Sequence, residues 1–118
     1  VKQPRKSAEK TLQYLCQQWL KKSGYWDRLL IFHVPNERRG GIGAGIHFKR
    51  MGVLPGVADY LVFGGTRDIA IEIKDEDGKQ NENQKEFQRR WEATGKLYCI
   101  VRTLEEFKKI VNAVGIFC

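Results

Sequence analysis

Apolar residues recur along this chain at two periods, and the switch from one to the other marks its elements. From Ala8 to Lys22 they fall at helical spacing. Leu12, Leu15, Cys16, Trp19 and Leu20 form one stripe, with Ser7 placed to cap the helix and Ser23-Gly24 to end it. Leu29–Val34 (LLIFHV) is apolar almost throughout and is expected as the first strand, broken by Pro35-Asn36. The following ERRGGIGAGIHFKRM is rich in glycine (Gly40, Gly41, Gly43, Gly45), so a long, mobile loop is expected there. Gly52–Lys74 then reads as two strands joined by a tight turn at Gly64-Gly65-Thr66-Arg67, with Gly65 at the first central position of a type II′ hairpin. Ile69, Ile71 and Ile73 alternate along its second strand and make a core face.

Asp75–Lys79 is expected as an exposed turn. Asn83, with Glu86 three residues on, is placed to cap a helix that runs to about Thr94 and ends at Gly95. Gln84, Phe87, Gln88 and Trp91 share one face of it. Leu97–Val101 (LYCIV) is continuously apolar, a pattern expected in the middle of a sheet. Thr103 and Glu106 form a capping box for a last helix, with Leu104, Phe107, Ile110 and Val111 as its apolar face and an end near Gly115. The order is αβββαβα, an α/β fold with a mixed sheet and flanking helices. The step from Ile69 to Val101 implies a right-handed crossover between parallel strands.

Composition narrows the partners. Residues 1–6 are basic and expected to be disordered, and residues 7–118 form one small domain. The net charge is +7, from 21 Lys and Arg against 14 Asp and Glu, which favours polyanions, nucleic acid first. No apolar run approaches the roughly 20 residues needed to span a bilayer, and with polar, basic first residues no signal peptide is expected. Three cysteines, Cys16, Cys99 and Cys118, with no C-x-x-C spacing, argue against structural zinc and for a reducing, intracellular setting. Cys16 and Cys99 lie on apolar stretches and read as core.

The candidate chemistry lies in the hairpin. A turn centred between Gly65 and Thr66 sets Asp59 opposite Glu72 and Val57 opposite Lys74, while Glu72 and Lys74 share a face. Like charges directly opposed destabilise a sheet. A divalent cation between them reverses the sign, and Mg²⁺ is commonly bound by one or two carboxylates together with a phosphate. The Lys74 ammonium would then meet a phosphate or orient a water. The alternative is a solvent-facing strand with ordinary surface charges. Glu9 lies on the apolar side of the first helix, either as an acid welcomed by the helix dipole or as part of the site. Gln84 belongs to the cap or to the site, and His33 to the core or to the site. Arg38, Arg39, Lys49 and Arg50 make the Gly-rich loop a candidate phosphate-contacting flap. Its Gly41-Ile42-Gly43 is a weak dinucleotide signal, since no helix is expected directly after it.

An acid followed by acid-x-lysine on consecutive strands, within this element order, resembles the PD-(D/E)xK nuclease superfamily, and more specifically a stand-alone VRR-NUC domain. The resemblance covers nearly the whole chain. It rests on Gly52-Val53-Leu54-Pro55-Gly56-Val57-Ala58-Asp59, similar to the family's G-V-x-P-G-x-P-D, on Ile71-Glu72-Ile73-Lys74, and on Gln84 ahead of Trp91. Ala58 departs from the family's Pro, a position that shapes backbone and supplies no ligand. The resemblance implies a restriction-endonuclease-like fold and a Mg²⁺- or Mn²⁺-dependent endonuclease acting on DNA. It implies metal held by Asp59, Glu72 and the Ile73 carbonyl with Glu9 close by (Glu37 is the other candidate acid), Lys74 as the catalytic amine and Gln84 orienting it or a phosphate. Free-standing members resemble Holliday-junction resolvases, act as homodimers on branched DNA and often come from bacteriophages. A cytoplasmic protein with no membrane partner and no nucleotide cofactor is therefore expected. The rival expectations are a DNA-binding module of this fold that does not cut, and a small basic domain that binds a nucleotide or a protein.

Overall fold

The computed structural model describes residues 5–35 and 42–115. The elements are α1 (Arg5–Ser23), α2 (Tyr25–Arg28), β1 (Leu30–His33), α3 (Ile42–Arg50), β2 (Tyr60–Phe63), β3 (Ile69–Ile73), α4 (Glu82–Ala93), β4 (Leu97–Val101) and α5 (Leu104–Gly115). The strands form one four-stranded sheet in the order β1-β2-β3-β4, with the first two pairings antiparallel and the third parallel. This is the expected mixed α/β sheet, with α2 and α3 added to the expected order. Among the described residues no helix is long and apolar enough to cross a membrane.

The sheet is covered on both faces, which divides the core in two. Ile69, Ile71 and Ile73 turn to one side, as their alternation predicts, and pack with Ile31, Tyr60, Val62 and Val101 against Cys16 and Leu20 of α1 and Phe107 and Val111 of α5. Ala70 turns to the other side and packs with Ala58 and Phe87 of α4, where Leu61, Trp91 and Tyr98 join them. All five residues of β3 are consequently buried, including Glu72.

Several local expectations give way to tertiary constraints. Helix α1 starts before Ser7, whose carbonyl accepts the Thr11 hydroxyl inside the helix, so Ser7 is no cap. Leu15, expected on the buried stripe, is 43% exposed. Gly24 ends α1 at φ 86 as expected, and the chain turns at once into the short α2. Strand β4 lies at a sheet edge, not in the middle. Its continuous apolar run arises because α4 covers Tyr98 on one face and the core under α5 takes Cys99 and Val101 on the other. The α4 cap is Asn81, not Asn83: Asn81 Oδ1 accepts the Gln84 N–H, and Gln84 Oε1 accepts the Asn81 N–H. The Thr103–Glu106 capping box and the Gly95 stop, at φ 84, form as expected.

The loop expected after β1 contains α3. Its end is a Schellman motif: the Gly52 N–H, at φ 88, donates to Lys49 and the Val53 N–H to Phe48. Basic residues His47, Lys49 and Arg50 fill the last turn, where the helix dipole favours them. A helix does therefore start within Gly41-Ile42-Gly43. The strands it joins are antiparallel, however, so this is not the βαβ unit of a dinucleotide fold.

Candidate active site at the base of the hairpin

The register of β2 against β3 sets the site. Tyr60 faces Ile71, Leu61 faces Ala70 and Val62 faces Ile69, so the same ladder carried one step further sets Asp59 opposite Glu72. That is the expected register, reached by a different turn. Pairing stops at Val62 and Ile69, and the left-handed glycine is Gly64, at φ 93, not Gly65. Gly65 serves close approach instead. A Cβ there would lie 2.1 Å from the Val114 carbonyl, and that carbonyl accepts the neighbouring Thr66 N–H at 2.6 Å. The end of α5 thus holds the turn open.

Asp59 sits where the β2 ladder ends, and its side chain extends the pairing: Oδ2 accepts the Ile73 N–H at 2.7 Å. Lys74 donates its N–H the opposite way, to Val101 of β4, at 3.0 Å. Since N–H and C=O of one strand residue face the same neighbour, the Ile73 carbonyl is turned to the Asp59 side. Glu72 is 3% exposed and Lys74 8%. Both side chains are buried, so they are not the ordinary charges of a solvent-facing strand. Lys74 Nζ stands 4.0 Å from Glu72 Oε2. Gln84 Nε2 donates to that same oxygen at 3.3 Å, so the residue that closes the α4 cap also reaches Glu72. Glu72 Oε1 is buried and has no hydrogen-bond partner.

Burial is the largest influence on Glu72 and pushes its carboxyl from 4.5 to about 9; the Asp59 carboxylate beside it pushes the same way, and Lys74 only partly opposes them. In the metal-free protein the Glu72 carboxyl therefore keeps its proton at neutral pH. Glu9 approaches from α1. Its carboxyl is also raised, by burial first, with Lys74 and the Asp75 N–H opposing. It stands beside the pair without completing a cluster: among the described residues no three His, Cys, Asp or Glu side chains lie together as a metal-binding group.

Two residues to which the sequence reading gave no role of their own hold the site's borders. Arg102 Nη1 donates to the Asp75 and Gly78 carbonyls at 2.7 and 2.8 Å and clamps the turn after Lys74. Gly56, at φ 80, lies so close to α4 that a Cβ would sit 2.4 Å from the Asn83 carbonyl and 2.6 Å from the Gln84 nitrogen. The glycine signal was visible in the sequence; the Arg102 bonds, to backbone atoms of a distant turn, left none. Lys49 and Arg50 are exposed on α3. Arg38, Arg39 and the alternative acid Glu37 lie outside the described residues, as does Cys118, while Cys16 is buried as expected and Cys99 half-buried.

A four-stranded mixed sheet between helical layers is a restriction-endonuclease-like fold. Two solved structures share it along nearly the whole chain. One, a VRR_NUC domain protein, is similar with a TM-score of 0.76 at 22% identity, covering 97% of this chain and 90% of that one. The other, a VRR_NUC domain, has a TM-score of 0.57 at 19% identity, covering 89% of this chain and 95% of that one. No family model matches the sequence, and no curated protein matches it. The chain therefore has the fold of the VRR_NUC domain.

Proposed function

We propose that the protein is a divalent-metal-dependent nuclease that hydrolyses phosphodiester bonds in DNA, with Holliday or other branched junctions as substrates. One observation carries this reading: Glu72 is buried opposite Asp59 with an oxygen that nothing partners. A fold that keeps two carboxylates so close at such a desolvation cost has a cation-shaped deficit. Asp59, Glu72 and the Ile73 carbonyl would hold Mg²⁺ or Mn²⁺, with Glu9 reaching it directly or through water. When bound, such an ion lowers the pKa of a water and neutralises charge on the phosphate under attack. The likeness to VRR_NUC domain structures supports the same reading.

The chain's own groups divide the remaining work. Gln84 holds Glu72 Oε2 and keeps the carboxylate aimed at Asp59. The buried Lys74 brings a positive charge to the site and stabilises negative charge that develops on the phosphate oxygens, where low dielectric strengthens its effect. Lys49 and Arg50, with Arg38 and Arg39, contact backbone phosphates and position the DNA without reading its bases. A two-fold symmetric junction needs incisions on two strands, so the working form is a homodimer with C2 symmetry.

Incubating a labelled four-way junction, a flap and a plain duplex with Mg²⁺, Mn²⁺ or EDTA tests the proposal. Cleavage of branched DNA that requires the metal is the expected result. Tight binding without cleavage in either metal would make this a non-cutting DNA module, and no affinity for any of the three would remove DNA altogether.

A further inference from the structure

Asp59 lies one residue outside β2, where a single backbone bond, from the β1 side, still holds it, yet a metal ligand must be held to within about 0.5 Å. Its carbonyl oxygen shows how the fold solves this. That oxygen accepts the Val34 N–H at 2.8 Å and also lies 2.8 Å from Nδ1 of His33. A carbonyl can only accept, so Nδ1 carries the hydrogen and His33, when neutral, is the Nδ1–H tautomer. Together with the Ile73 N–H on Oδ2, Asp59 is pinned at its backbone from β1 and at its side chain from β3.

The ring itself is not free to turn. His33 faces Tyr60 in the β1–β2 register, with ring centroids 5.8 Å apart. Tyr60 is fully buried and its hydroxyl donates to Gln17 Oε1 of α1 at 2.8 Å. The imidazole is thus backed by a side chain locked into the helix that carries Glu9.

We infer that His33 is a positioning residue: its Nδ1–H bond to the Asp59 carbonyl fixes the Asp59 carboxylate for a divalent cation. This rests on the metal-dependent reading above. His33 touches neither DNA nor the reacting atoms in this role; it acts through Asp59. Removing such an outer partner typically weakens metal affinity about 10- to 100-fold.

The test uses the full chain as wild type, His33→Ala and His33→Asn, because an Asn amide places a donor near the Nδ1 position. Calorimetry with Mn²⁺ is expected to give a dissociation constant about tenfold or more higher for His33→Ala and within about threefold of wild type for His33→Asn. The Mn²⁺ concentration that half-saturates cleavage should shift in parallel. A purely structural role would lower the melting temperature of His33→Ala and leave both metal constants unchanged, which overturns the inference alone. Ring ¹⁵N NMR of the metal-free protein supplies an independent readout. With only two histidines in the chain, the His33 signals are assigned by their loss in the variants. The Nδ1–H tautomer supports the bond, and the Nε2–H tautomer refutes it. A wild type that takes up no Mn²⁺ overturns the nuclease reading and the metal role together, and the tautomer still decides whether the bond exists.

Discussion

Replacing Glu72 by Gln should make the metal-free protein more stable and the protein useless as a nuclease. Glu72 is 3% exposed, and its Oε1 has no partner. Leaving a buried polar group unsatisfied costs about 1–3 kcal/mol, more when it is charged. Gln keeps the shape, can still accept from Gln84 Nε2, and turns an NH₂ toward Asp59 in place of a second anion. The expected gain at pH 8 in EDTA is therefore about 1–3 kcal/mol, or roughly 3–15 °C in Tm for a domain of this size. The sign follows from proton linkage. An acid whose folded pKa, about 9, lies above its ordinary 4.5 favours the folded state only while protonated. That contribution is whole below pH 4.5 and is lost as pH rises through 9. The Tm difference, variant minus wild type, should thus be small at pH 5 and grow toward pH 9. Adding Mn²⁺ should reverse it, since wild type gains about 2.7 kcal/mol at a hundredfold excess over its dissociation constant while the variant gains little. Thermal unfolding followed by circular dichroism at pH 5 to 9, with EDTA or Mn²⁺, reads all of this. A variant less stable than wild type at pH 8 in EDTA, or a difference that does not change with pH, refutes the reasoning.

Three other substitutions probe separate parts of the site. Lys74→Ala should cut single-turnover cleavage about 10²- to 10³-fold and leave junction affinity within a few-fold; equal cleavage rates would remove Lys74 from the reaction. Gly56→Ala pushes a methyl into the Asn83–Gln84 backbone at a φ of 80, and should cost about 1–3 kcal/mol and slow cleavage by moving Gln84 off Glu72; a fully active, equally stable variant would show that α4 can shift freely. Neutralising Lys49 and Arg50 together should flatten the slope of log binding constant against log salt by about 2; an unchanged slope would take α3 off the DNA.

The hairpin register was legible because it depends on alternation, and the three isoleucines of β3 leave only one face for Glu72. What escaped were choices that distant contacts decide. Asn81 and Asn83 each have a partner three residues on, and local spacing cannot rank them. Gln84 ranks them, because its amide also has to reach Glu72 across the core. Gly64 and Gly65 fit a tight turn equally well until Val114 occupies the space beside Gly65. The edge position of β4 was hidden because burial by two helices leaves the same apolar run as burial between two strands. Helix α3 did leave a signal, in the basic run before Gly52, but the glycines in its body drew attention to flexibility instead. His33 showed nothing beyond its position, since its bond runs to a main-chain atom.

The Ile73 amide donates to a carboxylate where its neighbours in the strand donate to peptide carbonyls. Its proton resonance is consequently a built-in electrometer for Asp59. Any event that alters the charge on that oxygen, whether protonation, cation uptake or an arriving phosphate, will displace the signal of one backbone amide in the middle of the sheet, so occupancy is readable in solution from that single proton.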